Sequence, residues 1–195
     1  MIDCNVKLKE HIDKICRAAY CNLRALHRIR SVLKNEMFSQ FIHALVLSRI
    51  DSCPSVLQGI EDIQLKRLEK VIKAAFRITF KIKKKEGISE KMRQKGWLTI
   101  RNRIKLRMCM IIFNVLKTGK PVYLSHLVSL SSGECHLRSQ TNNDLIFQRS
   151  RTNIGSRAFM VAAPKIWKSI PIDIRSLTDK DVFRERVKTW LLETQ

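Results

Sequence analysis

The sequence predicts a mainly α protein in which a helical bundle is followed by a linker and a small helical C-terminal tail. Apolar residues recur at intervals of three and four over long stretches, a spacing typical of amphipathic helices. The 195 residues include only six glycines and four prolines, so the chain has few of the residues that form turns between many short strands. A hydrophobic fraction of 45% is that of an ordinary globular protein and not of a disordered chain.

The first predicted helix follows an apolar stripe that begins at Leu8 and ends at Leu33. A second begins at Asn35, which is a plausible N-cap residue. The sequence Asp51-Ser-Cys-Pro54 ends the second helix, because proline lacks a backbone donor and disfavours a helical residue before it. Gly59 then marks a turn before the next helix.

A strongly basic segment, Gln64–Lys85, is predicted to form a single helix. On a helical wheel its apolar residues lie on one side and its cations share a narrow arc on the other. The cations of that arc are Lys66, Lys70, Lys73, Arg77, Lys81 and Lys84. Phe80 falls toward the cationic arc, where it would either stack on a nucleic-acid base or be covered by a neighbouring element.

Two helices are predicted after the basic segment. The first is short and covers Ser89–Lys95. Thr99 caps the second, which ends at Lys117 before Gly119 as its C′ residue. Its first part also has the alternation of a strand, with cations at Arg101, Arg103, Lys105 and Arg107. Its length without a helix breaker favours a helix.

The remainder of the chain is predicted to be a linker and a small helical region. The stretch Ser129–Asp144 is polar and lacks periodicity, which indicates a domain boundary. The predicted division is therefore a helical domain at 1–128, a linker at 129–144 and a C-terminal region at 145–195. The C-terminal region contains Leu145-Ile-Phe-Gln as a short strand or extended arm, a helix from Ser156 to Trp167 interrupted by Pro164, and a last helix from Asp179 to Leu192.

The net charge of +21 is concentrated in one part of the chain. Residues 63–107 contain sixteen lysines and arginines against three acidic residues. A focused positive field of this kind attracts polyanions, and each cation that pairs with a phosphate releases a condensed counterion. The alternative interpretation is that the charged face only keeps a helix soluble.

The sequence predicts neither catalysis nor a bound cofactor. It contains no Gly-rich phosphate loop, no His-Glu-x-x-His and no Gly-x-Ser-x-Gly motif. Cys135 and His136, with His126 nearby, are residue types that bind metals. Structural zinc requires four ligands at regular spacing, and no second pair of ligands accompanies these residues. We therefore predict no metal site.

The six cysteines are expected to be free thiols, because the polar residues Met1–Lys7 do not resemble a secretory signal. The longest apolar run, Met108–Phe113, is much shorter than the ~18 residues needed to span a bilayer. We expect an intracellular protein of the nucleus or cytoplasm, without a transmembrane segment.

Several stretches of the chain resemble one family in order and approximate spacing. They include Cys16-Arg-Ala-Ala-Tyr20, His43-Ala-Leu-Val-Leu-Ser-Arg-Ile-Asp-Ser-Cys53, Leu65-Lys-Arg-Leu68, Pro121-Val-Tyr-Leu124 and Arg157-Ala-Phe-Met-Val-Ala-Ala-Pro-Lys-Ile-Trp-Lys-Ser-Ile-Pro171. Together they are similar to the region after the polymerase core in LINE-type, non-LTR retrotransposon reverse transcriptases of the jockey and chicken-repeat kind. The similarity covers nearly the whole chain.

The resemblance implies a thumb-like helical domain at 1–128 and a C-terminal tail, which in this family hold template RNA and target DNA near the active site. The Phe/Tyr-Ala-Asp-Asp motif that binds Mg²⁺ in such polymerases is missing from the sequence, so the resemblance implies a fragment without catalytic activity. Local departures are Asp51-Ser-Cys-Pro54 in place of Asp-Tyr-Cys-Asn and Trp97-Leu-Thr99 in place of Trp-Leu-Pro.

The leading hypothesis is that the chain binds the RNA or DNA backbone without sequence preference. The predicted contacts are Lys66, Lys70, Lys73, Arg77, Lys81, Lys84, Arg101, Arg103 and Arg107. One alternative is an inert structural module that needs the missing polymerase palm domain, supplied in trans, as its partner. Another is an amphipathic helix that lies on anionic membranes, although no membrane partner is predicted in the leading hypothesis.

Overall fold

The computed structural model describes residues 8–52, 54–83, 87–128 and 144–194. Over these residues the chain is mainly helical, which confirms the predicted fold class. Backbone packing divides the chain into two compact units, residues 1–103 and 104–194. The predicted linker lies outside the described residues except for Asp144, and the predicted domain boundaries stay a prediction.

The first unit begins with three helices, α1 at Lys9–Arg28, α2 at Asn35–Ile42 and α3 at Ser48–Asp51. A π-helical turn, His43–Leu47, joins α2 to α3, so the second predicted helix is a continuous helical segment. It ends at Asp51, where the sequence Asp51-Ser-Cys-Pro54 was expected to end it. The prediction that α1 extends to Leu33 is wrong, since α1 ends at Arg28.

Two further helices complete the first unit, α4 at Asp62–Phe80 and α5 at Ser89–Gln94, followed by the start of α6 at Ile100–Thr118. The predicted extension of the basic helix to Lys85 is wrong. Lys81 adopts a left-handed φ of 54°, and the Ile82 N–H donates to the Arg77 carbonyl at 3.0 Å. This hydrogen bond closes the C-terminus of α4, so Lys81 lies beyond the last helical turn.

The core of the first unit forms where α1 packs on α4. The buried stripe of α1 consists of Ile12, Cys16, Ala19, Leu23 and Leu26. The buried stripe of α4 includes the residues that the helical wheel placed opposite the cations: Leu65, Leu68, Ile72, Ala75, Phe76 and Thr79. The hydrophobic spacing therefore predicts which face of each helix is buried.

A buried arginine joins the turn after α1 to the end of α4. Arg30 is 7% exposed, and its guanidinium donates to the carbonyls of Ile78 at 3.2 Å and Thr79 at 2.8 Å. It also donates to the Leu33 carbonyl and to the Asn35 side chain. The carbonyls in the last turn of a helix lack intrahelical donors and carry partial negative charge, so a cation stabilises them there.

Arg30 also corrects the prediction for Asn35. The residue at the N-cap position of α2 is Lys34, and the Asn35 side chain makes no cap hydrogen bond. Its Oδ1 instead accepts a hydrogen bond from Arg30.

The second unit contains most of α6, together with α7 at Val122–Ser125, α8 at Phe159–Lys168, α9 at Ile172–Arg175 and α10 at Lys180–Glu193. The segment Met108–Leu116 of α6 is buried or half-buried at every position, as its apolar sequence predicts. Stacked rings of Phe113 and Phe183, with centroids 4.4 Å apart, form the centre of this core, and Trp167 lies 5.9 Å from Phe183.

Helix ends in the second unit follow the sequence closely. Gly119, with φ of 65°, ends α6, and Asp179 caps α10 by accepting hydrogen bonds from two backbone N–H groups at 2.9 Å each. The predicted interruption at Pro164 is wrong, because α8 continues through this residue. Pro164 is buried, so its packing in the core offsets the one intrahelical hydrogen bond that proline removes.

Three cysteines lie among the described residues, and all three are free thiols as predicted. Cys16 and Cys109 are buried and Cys21 is exposed. Burial raises the pKa of the Cys109 thiol to about 12. Cys109 is therefore protonated at neutral pH and acts as a small hydrophobic residue in the core of the second unit.

We predict that Arg30→Met lowers the free energy of unfolding by roughly 2–4 kcal/mol, because it removes hydrogen bonds to a charged group and leaves buried carbonyls without donors. Urea unfolding of the full chain, followed by circular dichroism, measures this loss. Arg24→Met, at an exposed position of α1, is the matched control and should change stability by less than ~0.5 kcal/mol. Equal stability of the two variants would contradict the role assigned to Arg30.

Candidate nucleic-acid interface

The predicted cations on α4 differ in exposure. Lys66 and Lys70 are exposed, and Lys73 and Arg77 are half-buried. These four lie along one side of the helix, and the span from the first to the last is about 17 Å at a rise of 1.5 Å per residue. Lys81 is exposed beyond the end of α4, and Lys84 lies outside the described residues.

Three aspartates of the first unit hold helices together. Asp13 on α1 pairs with Arg67 on α4, and Asp51 on α3 pairs with Arg103 on α6. Asp62 on α4 accepts a hydrogen bond from Arg101 at 2.7 Å. Each of these acids binds an arginine on another helix and not a lysine of α4.

Glu69 is the one acid that approaches the predicted lysines of α4 among the described ion pairs. Its Oε2 accepts a hydrogen bond from the Ile100 N–H at 2.8 Å, and its Oε1 lies 3.8 Å from the Lys73 ammonium. A carboxylate at the first residue of α6 is favourable, because the N-terminus of a helix carries partial positive charge. Glu69 therefore joins α4 to α6 and neutralises Lys73 only in part.

Arg103 and Arg101, both predicted to bind phosphate, have different surroundings. Arg103 binds both carboxylate oxygens of Asp51, with Nε to Oδ1 at 2.9 Å, and its side chain is only 15% exposed. Arg101 and Asp62 are 60% and 66% exposed, and exposed ion pairs contribute ~0–1 kcal/mol. The geometry thus gives Arg103 a structural role and leaves Arg101 accessible.

Lys105 and Arg107, in the first half of α6, lie in the second unit. Both are exposed, and neither belongs to any ion pair between residues that the structure describes. Lys105 is not among the predicted contacts, although it belongs to the same alternating set of cations as Arg101, Arg103 and Arg107.

Phe80, the candidate for base stacking, lies in an aromatic cluster. Its ring centroid is 4.6 Å from that of Phe76 and 6.2 Å from that of Trp97, and the Lys95 ammonium lies 5.8 Å from it. Phe76 and Trp97 are buried. Neighbouring side chains therefore cover part of Phe80, which favours the packing role over base stacking.

We use the name lysine face for Lys66, Lys70 and Lys73, which occupy consecutive turns on one side of α4. Among the described residues, Lys66 and Lys70 take part in no ion pair, whereas the only pair of Lys73 is the long one to Glu69. The sequence alone predicts the same role, phosphate binding, for the lysines and the arginines. The structure separates them, since Arg67, Arg101 and Arg103 bind carboxylates whereas Lys66 and Lys70 are exposed to solvent.

Within the described ranges, no group of three or more histidine, cysteine or acidic residues is arranged to hold a metal ion. Cys135 and His136 lie outside those ranges. No helix in the part of the chain that the structure describes has the length and apolar character needed to cross a membrane. Comparison of the chain with protein-family models, curated proteins and solved structures found no match.

The structural role of Arg103 is testable by a double-mutant cycle. We predict that Arg103→Gln and Asp51→Asn each cost about 1–3 kcal/mol of unfolding free energy, because hydrogen bonds to charged groups contribute that much, and that the double variant costs less than their sum. Urea unfolding of the four proteins measures the coupling.

The exposed pair Arg101→Gln and Asp62→Asn is the control cycle, with an expected coupling below ~1 kcal/mol. Coupling of the same size in both cycles would show that Arg103 is no more structural than Arg101.

Proposed function

We propose that the chain binds the phosphate backbone of RNA or DNA through the lysine face and has no catalytic activity of its own. The observation that carries the proposal is the exposure of Lys66 and Lys70 without a carboxylate partner among the described residues, on a helix within the most basic segment of the chain. Unpaired ammonium groups on one helical face can each bind a phosphate without breaking an existing ion pair.

This mode of binding is independent of base sequence. Phosphates are the same at every position, and lysine binds them as a point charge and not through a fixed geometry. Counterion release supplies most of the binding free energy of such a surface, so affinity falls steeply with salt. Lys81, just beyond the end of α4, and Arg101 at the start of α6 belong to the same unit and add to its positive field.

The resemblance to LINE-type reverse transcriptases supports a more specific form of the proposal. In this form the chain corresponds to the thumb-like region and C-terminal tail of such a polymerase, and the lysine face holds template RNA or target DNA. The missing Asp-Asp motif in the sequence supports a holding role without nucleotide transfer.

The first test is charge reversal on the lysine face. Lys66→Glu combined with Lys70→Glu should weaken binding to duplex RNA or DNA at least 10-fold and lower the slope of log K against log salt by about 1.8, or ~0.9 for each lost phosphate contact. Fluorescence anisotropy with a labelled duplex, over a series of salt concentrations, measures both quantities.

Lys9→Glu combined with Lys14→Glu is the matched control, because both lysines are exposed on α1 and the change in net charge is the same. The control should lose much less affinity and retain the salt slope. If both double variants lose affinity equally, binding depends on net charge alone, and the lysine face is not the site.

The second candidate function is a structural module that packs against another polypeptide. It is supported by Met37, Phe41 and Leu45, which are exposed and follow one another at intervals of four along α2 and the π-helical turn. Residues at this spacing form one apolar row on the helix surface, and exposed apolar patches often mark interaction sites.

We predict for this module that the isolated chain self-associates or binds a hydrophobic dye, and that Phe41→Asp with Leu45→Asp reduces both. Sedimentation velocity and dye fluorescence are the measurements. Val122→Asp with Tyr123→Asp, at exposed apolar positions of the second unit, should leave both unchanged. A dye-negative monomer of the unmodified chain would eliminate this candidate.

A further inference from the structure

A groove in the second unit has the chemistry of a nucleotide site. It encloses about 600 Å³, within the ~300–1,000 Å³ of ordinary small-ligand sites. Its lining combines an aromatic ring, two lysines, a hydroxyl and apolar side chains: Asp144, Leu145, Phe147, Pro164, Lys165, Lys168 and Ser169. None of these residues belongs to the lysine face or to the other predicted contacts.

The aromatic side chain of the groove is available to a ligand. Phe147 is 53% exposed, an unusual state for a residue type that is normally buried. The Lys165 ammonium lies 5.5 Å from its ring centroid, so the ring and a cation share one end of the groove. The residues from Ile146 to Arg151 are all exposed and include Arg149, which adds positive charge next to Phe147 in the chain.

Asp144, the one carboxylate among the described residues that line the groove, does not cancel its positive charge. Asp144 binds Arg175, with Nη1 to Oδ1 at 2.5 Å, and Arg175 is only 8% exposed. The arginine therefore neutralises Asp144 from within the protein. Lys165 and Lys168 remain as the charges that face a ligand in the groove.

We propose that this groove binds single-stranded nucleic acid, with a base stacked on Phe147 and the adjoining phosphate bound by Lys165 and Lys168. A nucleotide presents an aromatic face and a phosphate side by side, which matches a ring flanked by ammonium groups. Stacking on an aromatic side chain tolerates any base, because every base has a π-face. In a duplex, neighbouring bases cover these faces, so the groove distinguishes single strands from duplexes.

The inference rests on the proposed function in one respect, which is that the ligand is a nucleic acid. The groove and the lysine face share no residue. The two sites also differ in selectivity. Phosphate binding on the lysine face accepts duplex and single strand alike, whereas stacking requires an unpaired base. Variants at one site therefore leave the other intact, and each proposal can fail alone.

The test uses the full chain and a short single-stranded oligonucleotide that contains 2-aminopurine, whose fluorescence falls when the base stacks. Phe147→Ala should weaken binding about 5- to 160-fold, the range expected for loss of one stacked base, and abolish the quenching. Phe147→Trp should retain both. Duplex affinity, measured in parallel, should change less than twofold in either variant.

Tyr123→Ala is the matched control, because Tyr123 is an even more exposed aromatic residue of the second unit. It should bind as the unmodified chain does. The quenching should persist in the variant Lys66→Glu with Lys70→Glu and be lost in Phe147→Ala. This result would establish the groove as a separate site even if the lysine face proved inactive.

Three results would overturn the inference: unchanged single-strand affinity and quenching in Phe147→Ala, equal loss of duplex and single-strand affinity, or equal loss in Tyr123→Ala. A poly-glutamate peptide distinguishes a different ligand class. If, in chains that also carry Lys66→Glu with Lys70→Glu, it displaces the oligonucleotide and binds Phe147→Ala with undiminished affinity, the groove is a site for acidic peptides and not for bases.

Discussion

The hydrogen bonds between Arg30 and the last turn of α4 are the constraint on which the first unit depends. They bring a buried cation to carbonyls that have no intrahelical donors, and they tie the turn after α1 to the end of α4. The Phe38 ring covers the same guanidinium at 4.6 Å. Because α4 ends next to these hydrogen bonds, Lys81 lies outside the helix, and the lysine face is limited to the preceding turns.

Arginine and lysine have separate roles in this protein because their head groups differ. The planar guanidinium of Arg103 or Arg30 satisfies two or more acceptors at fixed angles, so it can be buried at low cost when those acceptors surround it. The ammonium of lysine is compact and strongly hydrated, and Lys66 and Lys70 keep it in water. A positive surface therefore remains after Asp13, Asp51 and Asp62 have bound their arginines.

The two proposed sites would contribute different parts of nucleic-acid binding. A field of unpaired lysines acts over a Debye length of ~8–10 Å and attracts any phosphate backbone. The exposed Phe147 ring, with Lys165 beside it and Lys168 in the same groove, would act only at contact, where it would hold an unpaired base. Each unit would carry one of the two sites, and the chain would then combine a non-selective electrostatic surface with a short-range preference for single strands.

The sequence by itself determined the elements that local forces decide. Apolar spacing identified the buried faces of α1 and α4, and Asp179 and Gly119 marked helix ends, because capping and periodicity depend on residues within one or two turns. Only the tertiary structure decided that Arg30 is buried against the end of α4 and that Arg103 binds Asp51. Each of these contacts joins residues about fifty positions apart, and no local pattern specifies which distant carbonyl or carboxylate a cation will meet.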